Sequence, residues 1–166
     1  MSARELAVAG ADIDRMIINL RGQKVMIDAD LARLYGVETR VLNQAVRRNR
    51  ERFPDDFVFQ LTEEEKAEVI TNCDHLASLK FSPVLPYAFT EHGAVMAAAV
   101  LNSARAVEVS VFVVRAFVRM RKLLSGHREL ALKLAELERR VTRQDARIAA
   151  LFDAVRQMMR LPASRK

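Results

Sequence analysis

The chain is poor in the residue types that build covalent cross-links and metal centres. Its 166 residues include one cysteine, Cys73, and three histidines. A single cysteine excludes an internal disulfide framework and fits a reducing cytoplasm, which is the localisation we expect. A structural zinc site needs four thiolate or imidazole ligands in closed geometry, so we expect no metal at Cys73 and the nearby His75.

The chain also lacks the motifs of the common enzyme and membrane-protein classes. It has no glycine-rich phosphate loop, no serine nucleophile elbow and no pair of carboxylates framed by other catalytic residues. The longest uninterrupted apolar run, Ala94 to Leu101, is far shorter than the roughly 20 residues that cross a bilayer. We therefore expect no enzymatic activity, no cofactor and no membrane span.

Positive charge is what the chain has in excess, with a formal net charge of +6. Residues 115–166 hold fourteen Lys/Arg and five Asp/Glu, whereas residues 61–92 hold two Lys/Arg and six Asp/Glu. A second basic patch lies at residues 40–52. This clustering is expected if the partner is a polyanion, although basic helices are also common as ordinary solvated helices.

The segment from residue 28 to residue 49 has the pattern of two short helices joined at a glycine. Asp28 is the predicted N-cap of the first helix, and Gly36 supplies a sharp turn that other residues tolerate poorly. Apolar residues at helical spacing mark both helices: Leu31, Ala32 and Leu34 in the first, and Val41, Leu42, Ala45 and Val46 in the second. The pattern is typical of a helix-turn-helix unit, whose second helix enters the major groove of DNA.

The second of these helices has a polar outer face, because residues three, four and seven apart lie together and Leu42, Ala45 and Val46 turn inward. Arginine on such a face can bond guanine bidentately, asparagine or glutamine can bond adenine, and further arginines can contact phosphates. The alternative is the solvated face of an ordinary α-hairpin. We predict seven contacts to double-stranded DNA: Arg40, Asn43, Gln44, Arg47, Arg48, Arg50 and Arg52.

Patterns around this helix pair predict a small antiparallel sheet. Residues 16–20 and 24–27 are apolar runs typical of a β-hairpin with Gly22 in its turn. Residues 57–61 alternate like a half-buried strand, and residues 85–89 predict another short strand. Residues 1–15 show no clear period and are expected to be frayed.

Further helices are predicted after the sheet residues. Thr62 and Thr90 are predicted caps of helices that extend to about Asn72 and Leu101, with residues 77–84 as a loop between them. A helix from about residue 104 to 124 is rich in valine on nearly all sides and is expected to pack centrally. The predicted first domain spans residues 16–124, and its class is α+β.

Apolar residues at alternating spacings of four and three predict a coiled coil over residues 127–160. β-branched residues at a positions with leucine at d positions favour two parallel strands, and a polar residue in the seam can fix the register. The alternative is a single amphipathic helix folded back on the first domain. The seam residues are Leu134, Val141, Ile148 and Val155 at a, and Leu130, Leu137, Gln144, Leu151 and Met158 at d.

The flanking charges also favour a parallel homodimer. Lys133 would face Glu138 of a second copy, and Arg140 would face Asp145, and both pairings are attractive. An antiparallel pair would instead set basic residues against basic residues and acidic against acidic. The long C-terminal helix is therefore predicted to be an oligomerisation element.

Several motifs occur in an order that resembles the ORF-six N-terminal domain family. That family is related to the KilA-N and Bro-N domains of phages and large DNA viruses. The resemblance covers residues 16–122. It is carried by LRGQKVMID at residues 20–28, DLARLYGVET at 30–39, Leu42-Asn43, NRERFPDDFVFQLT at 49–62, LPYAFTE at 85–91 with Gly93, and LNS at 101–103.

The resemblance implies a DNA-binding domain of phage and prophage proteins, which is often fused to antirepressor or other C-terminal modules. It supplies no base-contacting residues, so the seven predicted contacts depend on helix geometry alone. We expect a prophage-type transcriptional regulator that binds duplex DNA as a coiled-coil dimer. The rival hypothesis is an antirepressor-like protein that acts on a phage or host repressor and uses DNA little or not at all.

Overall fold

The structure is a computed structural model that describes residues 12–160. In chain order the elements are α1 (residues 12–16), β1 (Ile17–Leu20), β2 (Gln23–Ile27), α2 (Asp28–Tyr35), α3 (Thr39–Arg48), β3 (Val58–Gln60), α4 (Glu63–Asn72), β4 (Tyr87–Phe89), α5 (Glu91–Leu101) and α6 (Ala104–Arg160). The predicted α+β class is confirmed. The chain divides into two compact units, Met1–Lys122 and Leu123–Lys166.

The first unit contains a four-stranded sheet in the order β1-β2-β4-β3, and every neighbouring pair is antiparallel. The predicted hairpin is confirmed, with Leu20 opposite Gln23. Arg21 and Gly22, the two turn residues, both have positive φ, at 53° and 75°. Positive φ at both central positions is the requirement of a two-residue type I′ turn, whose twist matches that of the flanking strands.

One face of the sheet belongs to the larger apolar cluster. Ile17, Met26, Phe89 and Val58 form a row straight across the four strands. Side chains from α2, α3, α5 and the first part of α6 cover this row, and Phe117 is among the last of them along α6. The helix-turn-helix pair is thus held on this face of the sheet.

The opposite face of the sheet is covered as well. Val25 and Ile27 of β2 belong to a second cluster, which Val69 of α4 and Leu76 complete. Residues 74–81, most of which were predicted as part of a loop, form a 3-10 helix instead. Leu76, which is buried, gives this segment an apolar anchor in the second cluster. The sheet is therefore buried on both faces.

The predicted cap at the start of α4 is confirmed, and it takes the form of a capping box. Thr62 Oγ1 accepts a hydrogen bond from the Glu65 backbone N–H at 3.2 Å, and Glu65 Oε1 accepts one from the Thr62 N–H at 2.9 Å. Glu65 also receives two hydrogen bonds from the Arg21 guanidinium, at 2.8 and 2.9 Å. The Arg21 side chain lies over the Phe59 ring at 4.2 Å, so the hairpin turn is clasped to α4 and β3.

This clasp predicts an acid-sensitive contribution to stability. Hydrogen bonding to Arg21 lowers the pKa of Glu65 from its ordinary value of 4.5 to about 2. A carboxyl group with a lowered pKa in the folded state stabilises it above the unfolded-state pKa, and this contribution is lost as pH falls towards 2. We expect the Glu65→Gln variant to lose less stability than the parent between pH 4.5 and 2 in urea unfolding. The exposed neighbour Glu64, changed to Gln, is the control, and equal slopes for all three proteins would contradict the clasp.

The structure corrects the prediction for α6 in two ways. One helix was predicted over residues 104–124 and a coiled-coil helix over residues 127–160, but α6 is one continuous helix. A single glycine, Gly126, costs a helix only about 1 kcal/mol and no proline is present to stop it. The expectation of a centrally packed helix is wrong, because Val107 and Val111 are 52% and 47% exposed. Only one face of the first part of α6 is buried, at positions that include Val109 and Val113.

Two predictions near the start of the chain also need correction. Asp28 is the first residue of α2 rather than its N-cap, which is Ile27, and Asp28 is buried. Residues 12–15 are helical and Ile13 is 2% exposed, so the predicted frayed segment does not include them. Residues 1–11 of that segment lie outside the described residues.

Candidate nucleic-acid interface

The turn between α2 and α3 is built around Gly36, as predicted. Gly36 has a φ of 72°, and its N–H bonds the carbonyl groups of the last turn of α2. The side chain of Arg105, at the start of α6, donates from Nε to the Leu34 carbonyl oxygen at 3.3 Å. Two features therefore stabilise the turn: Gly36 adopts the left-handed conformation, and Arg105 bonds a backbone carbonyl group of α2.

Helix α3 has one buried face and one exposed face. Leu42 is fully buried and Val46 is 7% exposed, while Ala45 is half-buried. These side chains fix α3 against the larger cluster. The exposed side chains of α3 include Arg40, Gln44, Arg47 and Arg48, and Arg50 and Arg52 are exposed in the 3-10 turn Arg50–Arg52 that follows. Six of the seven predicted contacts are thus accessible to a ligand.

The charges on this exposed face are available to bind an anion. Arg40 lies 3.7 Å from Glu38, but the two side chains are 86% and 75% exposed, so the pair is a weak one. Within residues 12–160, no salt bridge occupies Arg47, Arg48, Arg50 or Arg52. Guanidinium groups without carboxylate partners are well suited to phosphates and guanine edges.

Asn43 is the predicted contact that the structure places elsewhere. Its Nδ2 donates to Asp28 Oδ2 at 2.9 Å, and the side chain is half-buried. Asp28 also accepts from the Tyr87 N–H at 3.2 Å and from the Ala29 N–H at 2.8 Å. One carboxylate therefore ties α3 to α2 and to β4, and Asn43 holds α3 in place rather than facing outwards.

The environment of Asp28 shows how much this anchor matters. Burial raises the pKa of the Asp28 carboxyl, and the hydrogen bonds from Asn43 and from the Tyr87 and Ala29 N–H groups oppose that shift. A buried carboxylate without such donors would strongly destabilise the fold. The sequence contained one signal for this role, because Asn43 lies three positions before Val46 and so borders the buried face.

Val41 was assigned to neither face of the second helix. It was counted among the apolar residues that mark the second helix, yet its side chain is 38% exposed. Val41 is the third residue of α3 and lies between exposed Arg40 and fully buried Leu42. It adds an apolar side chain to an otherwise polar exposed face.

A second buried carboxylate, that of Asp30, joins α2 to the 3-10 segment Asp74–Phe81. Asp30 is fully buried, and its Oδ2 lies 2.9 Å from Nε2 of His75 in the 3-10 segment Asp74–Phe81. Burial raises the pKa of Asp30, while the hydrogen bond and charge of His75 and the charge of Arg33 oppose the shift. Burial also raises the pKa of the Cys73 thiol. His75 thus has a structural partner, which the sequence pattern around Cys73 did not predict.

In the second unit, the predicted seam residues lie along the exposed surface of α6. Their exposed fractions run from 41% at Val155 to 65% at Leu130, Leu151 and Met158, and Gln144 is also exposed. Lys133 and Arg140 each form an ion pair within the helix, with Glu129 at 3.4 Å and Glu136 at 2.8 Å. An apolar stripe of this kind, interrupted here only at Gln144 among the seam residues, is the surface that a second helix buries in a coiled coil.

Comparisons with known proteins agree with the resemblance drawn from the motifs. A family model described as the ORF6N domain matches residues 15–100, which is just over half of the chain. No curated protein and no solved structure matches the chain. Within residues 12–160, no helix combines the length and the apolar character needed to cross a membrane.

Proposed function

Because the chain belongs to the ORF6N domain family, we propose that it is a prophage-type transcriptional regulator that binds duplex DNA. The observation that carries this proposal is the exposed face of α3. Arg40, Gln44, Arg47 and Arg48 share that face, while Leu42 and Val46 hold the opposite one against the core. A rigidly seated helix with arginine and amide groups directed outwards can enter the major groove and bond base edges.

The proposal includes a homodimer joined through the seam residues of α6. Two copies on one symmetric coil present two α3 helices to DNA. The natural target is then an inverted repeat, with half-sites about one helical turn apart or a multiple of it. Dimerisation also raises affinity, because the second domain binds at the high effective concentration that the coil imposes.

Selection from genomic duplex fragments at two salt concentrations tests the proposal directly. We expect fragments retained at the higher salt concentration to share an inverted repeat. Affinity is expected to fall steeply with salt, since each phosphate contact releases counterions. Failure to retain DNA even at low salt would refute the proposal.

The roles of individual arginines can be separated by substitution. Arg47→Ala is expected to weaken binding to the selected site by about 1 to 3 kcal/mol if Arg47 reads a base. Arg50→Ala is expected to weaken cognate and scrambled DNA alike, and to reduce the salt slope by about 1, if Arg50 contacts phosphate. Affinities measured by fluorescence anisotropy on both DNAs make the distinction.

Arg143→Ala is the control for these two variants, because Arg143 is an exposed arginine of α6 away from the seam residues. It removes the same charge at a position that the proposal does not use. Equal losses on cognate and scrambled DNA for Arg47→Ala and Arg50→Ala would show that the exposed face of α3 contributes charge alone.

The second candidate is an antirepressor-like protein that binds a phage or host repressor. The exposed apolar stripe of α6 favours it, because such a stripe can pair with a helix of another protein as well as with its own copy. Removing residues 126–166 distinguishes the two. A DNA-binding protein is expected to keep weak, salt-sensitive binding as a monomer, whereas an interaction protein is expected to lose its partner.

A further inference from the structure

One side chain on the exposed face of α3 has no polar chemistry to offer. Val41 is 38% exposed, while the other exposed side chains of that helix are arginine and glutamine. An exposed valine on a soluble helix is unremarkable by itself. Its place on the helix proposed to enter the major groove is what gives it a specific use.

Val41 lies in the part of α3 that, in helix-turn-helix proteins, contacts base edges. It is the third residue of a ten-residue helix that begins at Thr39. In helix-turn-helix proteins the N-terminal residues of the second helix contact the bases. Gln44 lies three positions on, so its amide and the Val41 methyl groups are neighbours on one helix face.

The major groove has one common apolar feature that an aliphatic side chain can contact. Thymine carries a methyl group at C5, and 5-methylcytosine carries the same group at the same place. Contact between an apolar side chain and this methyl group is one of the recognised forms of direct readout. The polar groups of the groove make no hydrogen bond with valine, so the methyl group is the matching chemistry.

We propose that Val41 contacts the C5-methyl group of a pyrimidine in the major groove and makes the protein selective for it. The proposal depends on the proposed function, because it requires α3 to enter the groove. Val41 would be a specificity-determining residue, with Gln44 beside it available to bond an adjacent base edge.

A double-substitution experiment on the selected site tests this contact. Each thymine of the half-site is replaced in turn by deoxyuridine, which removes the methyl group alone, and affinity is measured for the parent protein and for Val41→Ala. At one position the parent is expected to lose roughly three- to tenfold in affinity, as for one or two buried methyl groups. The Val41→Ala variant is expected to lose almost nothing further at that position.

Two controls make the result specific. Val107→Ala removes the same atoms from another exposed valine, which is 52% exposed on α6, and it is expected to keep the full deoxyuridine effect. Cytosine and 5-methylcytosine at the responsive position separate the two sources of the methyl group. A gain with 5-methylcytosine over cytosine shows that the methyl group itself is read, whereas no gain restricts the contact to thymine.

The outcomes distinguish this proposal from the one on which it rests. If the protein selects a DNA sequence but no deoxyuridine substitution couples to Val41, only the methyl contact is refuted. If the protein retains no DNA at low salt, both proposals are refuted. Circular dichroism of Val41→Ala checks that the helix content is unchanged, as expected because alanine favours helices more than valine does.

Discussion

Replacing Gly93 by alanine is expected to cost the folded protein about 3 kcal/mol or more. A Cβ atom at position 93 would lie 2.1 Å from the Phe57 carbonyl oxygen and 3.0 Å from its carbonyl carbon. These are backbone atoms, which cannot rotate away as the end of a long side chain can. Thermal unfolding followed by circular dichroism should show a melting temperature lower by roughly 10 °C or more.

The backbone around Gly93 has little freedom to relax. The Phe57 carbonyl oxygen accepts from the Thr90 N–H at 3.0 Å and from the Thr90 hydroxyl at 3.2 Å. The Thr90 hydroxyl oxygen in turn accepts from the Gly93 N–H at 3.4 Å. Moving α5 away from Phe57 would break these bonds, and it would leave buried polar groups unsatisfied.

Gly126→Ala is the matched control, because it makes the same substitution within a helix where nothing lies within 4 Å of the added Cβ. Alanine is more favourable than glycine in a helix by about 1 kcal/mol, so this variant is expected to gain helical stability. Opposite signs for the two substitutions are therefore expected. A Gly93→Ala protein that unfolds at the parent temperature would contradict the packing of α5 against Phe57.

Introducing a charge into the seam of α6 is expected to weaken DNA binding by a factor of about 10² to 10⁴. Leu137 occupies the second of the five d positions and is 56% exposed in the single chain. In the proposed homodimer Leu137→Glu would place two buried carboxylates inside the seam of a coil of about four heptads. Sedimentation should then show a monomer, and affinity for the inverted repeat should fall to that of a single domain.

Leu132→Glu is the control for this variant, because Leu132 is 65% exposed and lies on α6 outside the seam. It adds the same charge to the same helix and is expected to leave both the dimer and DNA binding nearly unchanged. If Leu137→Glu gives a monomer that binds DNA as tightly as the parent, the coil has no role in DNA binding. A parent protein that is itself monomeric would turn attention to a helix of another protein as the partner of the seam.

Local sequence signals predicted the local structure well. Thr62 and Glu65 lie three apart in a capping box, and Gly36 and Gly22 lie at turns where the structure has positive φ. Each of these features is decided by residues close together in the chain, so one sequence is enough to find them. The pairing of β2 with β4 was left open, because it joins strands that are distant in sequence.

The role of Asn43 was missed because it depends on contacts with residues distant in the sequence. Asn43 was assigned to the outer face because helical spacing alone does not show that its side chain bonds Asp28, which also accepts from the Tyr87 N–H. Val41 was assigned to neither face, because helical spacing does not show how much of its circumference a ten-residue helix on the domain surface buries. For α6 the burial of the valines was overestimated. The composition of a helix does not show which neighbouring residues would cover each valine.

The burial of both sheet faces has a consequence for how β2 finds its correct alignment. In a sheet with one solvent-exposed face, a one-residue slip of a strand would expose its apolar side chains to water, and this cost disfavours the slipped register. Here Met26 and its neighbours Val25 and Ile27 are all apolar, so a slip would only exchange side chains of different shape between the two clusters. The alignment is then set by contacts at the two ends of β2. At one end Arg21 forms the two-residue turn and bonds Glu65, and at the other the buried Asp28 accepts hydrogen bonds from Asn43 and the Tyr87 N–H.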